Sequence, residues 1–409
     1  MKTINLALVN LFSLFLICET YSQKNVDVSF SHYNKTVYGT LTIPKNNVNP
    51  ALILIVPGSG PNDRDGTITF IGPNSECLYP ELVNLTFKPY KVLADRLVEA
   101  GYAVFRYDKV EFTYSSDIGE ISFEKLWLVH ESALEHLKQR NDINSKEIYL
   151  LGHSEGSSLI PLSTRLHNIK GLISLAGPAT SFDTILSNQI INIGKSCNGN
   201  LPEIYKQSEF ILDYFNKIRN SSWNNSTISL FGVPPSEWSK YIKVTDNVID
   251  NYNESKVPIL FIGLEYDINV PPSEINKFTI KLLESNDFIV IPQLNHYLCY
   301  NDKPLMSNVL SDTIISWLHK SISRNSEYFN DIKINLYPNP AYTELSIEIP
   351  SKIINYKIEF VDIHNRLLDN ILKIEDGWLK YDIKNLKKGI YFVKVIIGKN
   401  TILKRFIKI

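Results

Sequence analysis

From about residue 24 to 330, short apolar runs alternate with longer stretches in which apolar residues recur every three to four positions. The runs Val37 to Ile43, Ala51 to Val56, Ala103 to Tyr107, Glu147 to Leu151, Gly171 to Leu175, Ile259 to Leu264 and Phe288 to Ile291 predict strands. Leu93 to Ala100 and Phe123 to Arg140 carry helical spacing. This alternation predicts an α/β fold, a mostly parallel sheet covered by helices. Residues 178 to 250 interrupt it with an Asn- and Ser-rich insertion containing Trp223 and Trp238. In an enzyme such an insertion is expected to cover the site. The pattern changes at the polar stretch Ser321 to Ser326, after an amphipathic helix expected over Val309 to Ser321. Beyond it, Lys333 to Leu336, Leu345 to Ile349, Tyr356 to Ile363, Leu367 to Ile374, Trp378 to Ile383, Ile390 to Ile397 and Ile402 to Ile409 read as short strands of a small β-sandwich.

Composition supports two folded units, because 409 residues of which 44% are hydrophobic can bury a full core and leave room for a second domain. The formal net charge of -1 is unevenly spread: residues 331 to 409 carry 14 Lys+Arg against 9 Asp+Glu, which leaves the larger part mildly acidic. A nucleic-acid binder concentrates basic residues on its main domain, so the balance argues against that role and for a small-molecule or peptide substrate. The N-terminus has the build of a secretory signal peptide: Lys2, an apolar stretch from Leu6 to Cys18, then polar residues to Gln23. That stretch is too short to span a bilayer as a helix, and no later segment is long and apolar enough. Removing residues 1–23 leaves Cys77, Cys197 and Cys299, so no disulfide framework or zinc site is indicated and at most one intramolecular pair can form.

Candidate chemistry begins where the apolar run Ile148 to Leu151 meets Gly152-His153-Ser154-Glu155-Gly156. A serine on a sharp strand-to-helix turn needs glycines beside it, because a Cβ there would collide with the neighbouring backbone. Serine alone is a weak nucleophile; it needs a base to take its proton and an acid to hold that base in the right tautomer. Asp267 follows the strand Ile259 to Leu264 and His296 follows the next one, giving the order Ser154, Asp267, His296, with Glu265 the substitute for Asp267. Acyl transfer also needs donors aimed at the developing oxyanion. The backbone amide of Glu155 is one candidate, and the loop Val56-Pro57-Gly58-Ser59-Gly60-Pro61 offers that of Ser59, with Gly60 second. The side chains of His153 and Glu155 are assigned no catalysis, and Cys299 reads as a packed thiol.

Taken together, Pro57-Gly58-Ser59-Gly60-Pro61-Asn62-Asp63-Arg64-Asp65-Gly66, Leu93 to Leu97, Phe105-Arg106-Tyr107-Asp108-Lys109, the Ser154 pentapeptide and the late Asp and His resemble the secreted α/β-hydrolases related to bacterial carboxylesterases and serine aminopeptidase-like hydrolases. The resemblance covers about residues 45 to 320. It implies an α/β-hydrolase fold with an inserted lid, and serine hydrolysis without metal or organic cofactor. One departure is that Val110-Glu111-Phe112-Thr113-Tyr114 stands where relatives have a short glycine-containing turn. Asp63, Arg64 and Asp65 are expected to orient the oxyanion loop by mutual ion pairing. Leu336-Tyr337-Pro338-Asn339-Pro340, Gly389-Ile390-Tyr391 and the closing Leu403 to Ile409 resemble the C-terminal sorting domain read by the type IX secretion system. The organisation expected is a signal peptide over 1–23, a hydrolase domain over 24–325 with its lid at about 178–250, and a sorting domain over 331–409. The function expected is ester cleavage outside the cell, reached through the periplasm. The alternatives are a serine peptidase-like amidase and a noncatalytic surface binding protein.

Overall fold

The computed structural model describes residues 23–324 and 334–409, apart from 46, 115–116, 118, 225–227, 283–285, 350–356, 364–365, 369–370, 376–378 and 398–399. The segment read as a signal peptide, except for Gln23, and most of the junction expected before the second unit lie outside the described residues.

Strands β1 (Gln23–His32), β2 (Lys35–Pro44) and β3 (Ala51–Val56) come first. A short ribbon of β4 (Ile68–Thr69) with β5 (Thr86–Phe87) precedes β6 (Ala103–Tyr107), β7 (Asn144–His153), β8 (Ile169–Leu175), β9 (Ile259–Leu264) and β10 (Asp287–Ile291). One eight-stranded sheet runs in the order β1-β2-β6-β3-β7-β8-β9-β10. From β6 to β10 all its pairs are parallel, while β1 pairs antiparallel with β2 and β2 with β6. Helices α1 (Pro73–Leu78) and α2 (Pro89–Glu99) join β3 to β6; α3 (Val110–Thr113), α4 (Phe123–Trp127) and α5 (Val129–Leu137) join β6 to β7. After β7 comes α6 (Glu155–Ser163); α7 (Phe182–Ser196), α8 (Leu201–Arg219), α9 (Pro235–Asp246) and α10 (Val248–Ser255) fill the β8–β9 connection; α11 (Glu274–Lys281) precedes β10 and α12 (Asn308–Arg324) follows it.

The uninterrupted apolar sequence of β3 follows from its place in the middle of the sheet. Successive side chains of a strand point to opposite faces. Leu52, Leu54 and Val56 therefore join a core with Ala133 and Leu134 of α5 and Leu159 of α6, while Ile53 and Ile55 join a second core with Leu93 and Leu97 of α2 and Leu310 and Ile314 of α12. Burying each such Leu, Ile or Val side chain contributes roughly 1.5–3 kcal/mol. Strand β1, absent from the sequence reading, is buried on one face only, at Val28, Phe30 and His32. The helix expected over Phe123 to Arg140 is two helices, broken at Leu128.

Parallel strands present their C-terminal ends at one edge of a sheet, where α/β folds bind ligands. Here that edge gathers the loops after β3, β6, β7, β9 and β10. Of the helices between β8 and β9, α7, α8 and α9 pack through aromatic side chains: Phe182 of α7 stacks on Trp238 of α9 at 5.3 Å, and Phe215 of α8 meets Trp238 at 5.2 Å. A disulfide joins Cys77 in α1 to Cys197 at the end of α7, leaving Cys299 as a buried free thiol. Among the described residues no helix is long and apolar enough to cross a membrane.

Residues 334–409 form two antiparallel sheets. Strands β11 (Asn335–Tyr337), β12 (Glu344–Glu348), β14 (Leu372–Glu375) and β15 (Leu379–Asp382) are arranged β11-β12-β15-β14, and β13 (Lys357–Asp362), β16 (Gly389–Ile397) and β17 (Asn400–Lys408) are arranged β13-β16-β17. Leu345 and Ile347 from one sheet and Phe360, Val393, Val395 and Phe406 from the other share one core, as in a sandwich. The side chain of Asn339 clasps the last strand: its Nδ2 donates to Arg405 O at 3.0 Å and its Oδ1 accepts from Ile407 N at 2.9 Å. The opening Tyr-Pro-Asn-Pro and the basic-apolar terminus are thus one structural unit.

Candidate active site

Strand β7 is buried from Ile148 onward and ends in a turn where Ser154 takes φ 52° and ψ -118° before α6 begins. A side chain at positive φ is strained, and close packing holds the turn in place. A Cβ on Gly156 would lie 2.2 Å from Val56 O, and one on Gly152 would lie 2.5 Å from Gly156 C and O. Both positions therefore require glycine, as expected for a nucleophile elbow. Ser154 N donates to Leu175 O at 2.9 Å, tying the turn to the end of β8.

The loops after β9 and β10 bring Asp267 and His296 together. His296 Nδ1 donates to Asp267 Oδ2 at 2.7 Å, and the Asp267 side chain is fully buried. Its other oxygen, Oδ1, accepts the N–H groups of Asn269 and Val270, each at 2.8 Å. Four lone-pair sites thus meet three donors, an arrangement suited to a carboxylate. Glu265 is directed elsewhere and accepts the N–H of Gln293 at 2.9 Å. Among the described residues Ser154 Oγ makes no hydrogen bond to His296. Such bonds are often long in a free enzyme and tighten with substrate.

The oxyanion candidates lie beside the elbow, since a Cβ on Gly58 would be 3.3 Å from Ser154 Cβ. Among the described residues no hydrogen bond takes the N–H of Ser59, Gly60 or Glu155. The N–H of Gly58 is used, donating to Tyr90 Oη at 3.1 Å. Because Tyr90 accepts there, its hydroxyl proton goes to His153 Nδ1 at 2.9 Å, and His153 Nε2–H donates to the carbonyl of His296 at 3.0 Å. The chain of bonds fixes the tautomer of His153 and links the loop after β3 to the loop after β10. Burial, reinforced by the nearby His296, holds His153 well below the usual imidazole range, so it stays neutral. Burial likewise pushes the Tyr90 hydroxyl up to about 12.

The side chain of Glu155 is buried and makes contacts that sequence reading missed. Lys109 Nζ lies 3.2 Å from its Oε2, while Trp127 Nε1 and Tyr241 Oη donate to its Oε1 at 3.0 and 3.1 Å. Lys109 also donates to Gly58 O at 3.2 Å and lies 3.4 Å from Glu111. Burial alone would lower this ammonium, but the charges of Glu111 and Glu155 outweigh it and hold the pKa above the usual lysine range. The two residues lie in separate motifs, Arg-Tyr-Asp-Lys and Gly-His-Ser-Glu-Gly, which nothing local in the sequence connects.

Asp63, Arg64 and Asp65 do not pair with one another as expected. Arg64 makes a bidentate contact with Asp108, Asp65 pairs with Arg106, and Asp63 accepts from Thr67. Two of the three thus fasten the loop to the end of β6, the neighbour of β3 in the sheet. Where a glycine-containing turn was missing, Val110 to Thr113 form α3, and Tyr114 Oη donates to Thr36 O at 2.9 Å. Cys299 is buried, and burial raises its thiol to about 11, which suits a packed side chain.

An elbow serine, a histidine bonded to a buried aspartate and unused amides beside them, on this sheet, define the class of serine hydrolases with the α/β-hydrolase fold. The chain belongs to the serine aminopeptidase S33 family, which it matches over residues 84–304, more than half its length. Residues 335–409 match the secretion system C-terminal sorting domain. The chain is 26% identical over 322 residues to Esterase EstD of Thermotoga maritima, spanning 74% of this chain and 68% of that protein. Among solved structures it is similar to the esterase domain of a Rhodothermus marinus protein, with 14% identity, TM-score 0.45, and coverage of 73% of this chain and 98% of that one. It is also similar to Est1E from Butyrivibrio proteoclasticus, with 16% identity, TM-score 0.45, and coverage of 73% and 99%.

Proposed function

We propose that this chain is a secreted serine hydrolase that cleaves carboxylic esters through an acyl-enzyme on Ser154. The observation that carries the reading is the 2.7 Å bond from His296 to buried Asp267 at the same sheet edge as the strained Ser154. Ser154 Oγ attacks the ester carbonyl carbon as His296 Nε2 takes its proton, and Asp267 orients the imidazole and stabilises its charged form. The negative charge on the tetrahedral oxygen is received by the amides of Ser59 and Glu155. Collapse breaks the bond to the alkoxy group, which leaves as an alcohol carrying the proton from His296. Water then attacks the acyl-enzyme with His296 again as base, releasing the carboxylic acid and restoring Ser154.

Ester cleavage is favoured over amide cleavage by the relative named as an esterase, whereas the family name supports the peptidase-like alternative. Turnover of aryl esters of graded chain length is to be compared with that of aminoacyl anilides on the purified chain. Faster ester turnover is expected; a strong amide preference would overturn the esterase reading, and no turnover of either would favour the noncatalytic one. Residues 1–23 and 331–409 are read as the export signal and the sorting domain around a hydrolase of 24–325 whose helices at about 178–250 form a lid. Deleting 331–409 should leave ester turnover intact and keep the protein inside the cell; continued export would refute the sorting role.

A further inference from the structure

We propose that Lys109 and Glu155 are positioning residues that aim both amides of the oxyanion hole through one buried ion pair, a role that rests on the reading of Ser59 and Glu155 above. The peptide joining Gly58 to Ser59 is trans, so its carbonyl and its N–H point in opposite directions. Lys109 Nζ holds that carbonyl at 3.2 Å, and Asn62 Nδ2 lies 3.1 Å from it. Fixing the carbonyl fixes the direction of the Ser59 N–H, on a loop that packs against the Ser154 side chain. A cation on the carbonyl oxygen also polarises the amide and makes its N–H a stronger donor.

The same ammonium is 3.2 Å from the carboxylate of Glu155, the residue whose backbone N–H is the second donor. Glu155 is in turn held by Trp127 from α4 and Tyr241 from α9. One charge pair therefore connects a donor at the end of β3 with a donor at the start of α6. Its effect is on geometry, since a buried ion pair adds little net stability compared with well-packed apolar residues.

The test compares the full chain with its Lys109→Met and Lys109→Met/Glu155→Gln variants on p-nitrophenyl butyrate, and measures inhibition by an alkyl trifluoromethyl ketone, whose adduct with serine carries an oxyanion. Loss of a whole oxyanion donor costs about 10²–10³ in kcat. Mis-aiming one should lower kcat about tenfold or more, weaken the ketone by the same factor and leave KM within about twofold. An unchanged kcat, or a loss carried by KM alone, would overturn the proposal. The double variant removes the Glu155 charge together with its partner, leaves only the partly exposed Glu111 carboxylate without Lys109, and is read in the same way should Lys109→Met not fold. Fluorophosphonate labelling of the wild-type chain separates the two readings: an unlabelled wild type means that the hydrolase assignment fails, whereas a labelled wild type with unaffected variants means that only this inference fails.

Discussion

Replacing Asp267 by Asn gives a prediction whose direction follows from the bonds around that side chain. Oδ1 accepts two backbone N–H groups at 2.8 Å, and Oδ2 accepts the single bond from His296. Turning the new NH₂ toward Asn269 and Val270 would leave two buried donors unpaired, at about 1–3 kcal/mol each. The amide oxygen therefore stays there, and the NH₂ faces His296 Nδ1. A donor at that position forces the imidazole to accept, which puts its proton on Nε2, where the serine proton has to go. The same tautomer error in a serine protease lowers kcat about 10⁴-fold, which is about 5 kcal/mol of transition-state stabilisation. The assay is steady-state hydrolysis of p-nitrophenyl butyrate, with thermal unfolding as a control. Asp267→Asn should lose about 10³–10⁴ in kcat with its melting temperature nearly retained, and Glu265→Gln should stay within about threefold of wild type. A loss below about tenfold for Asp267→Asn, or a larger one for Glu265→Gln, would refute the assignment of the acid.

Gly156→Ala would put a methyl group 2.2 Å from Val56 O, so the turn at Ser154 or the loop after β3 must move by about an ångström. The expected result is a loss of about 1–3 kcal/mol in denaturant unfolding and about 10²-fold or more in kcat. Cys77→Ser removes a cross-link between residues 120 apart, and should cost about 2–5 kcal/mol, an effect that a reductant reproduces in the wild type and not in the variant. His153 has a depressed pKa in the folded protein, so it contributes stability above pH 6.5 that is lost as the pH falls from 6.5 toward the folded value, where the unfolded chain holds one more proton. Over that window His153→Gln should reduce the slope of stability against pH by about 1.4 kcal/mol per unit, measured by urea unfolding; an unchanged slope would mean that His153 is charged in the folded state.

The sheet was readable because strands such as β3, with Leu and Ile buried on alternate faces, are apolar throughout, and such runs leave few other interpretations. Strand β1 was not, because half of its residues face solvent and it follows directly on a polar segment. The elbow was legible for a steric reason, since the two glycines must be where they are. Asp267 and Glu265 were indistinguishable as letters two positions apart; only the folded loop sends one to His296 and the other to Gln293. Three cysteines allow three pairings, and the one formed depends on α1 meeting α7, which no local pattern encodes. Lys109 and Glu155 were hidden for the same reason. Each lies in a motif that looks complete by itself, and their connection exists only where β6 and β7 end on either side of β3.

The most direct test of the account is the site of covalent modification. The purified chain is treated with a fluorophosphonate, digested and mapped by mass spectrometry, and Ser154→Ala is carried through the same procedure. One adduct on Ser154, formed in step with the loss of ester turnover and absent from the variant, is the predicted result. An adduct on another residue, or a Ser154→Ala chain that still labels and still turns over ester, would contradict the account.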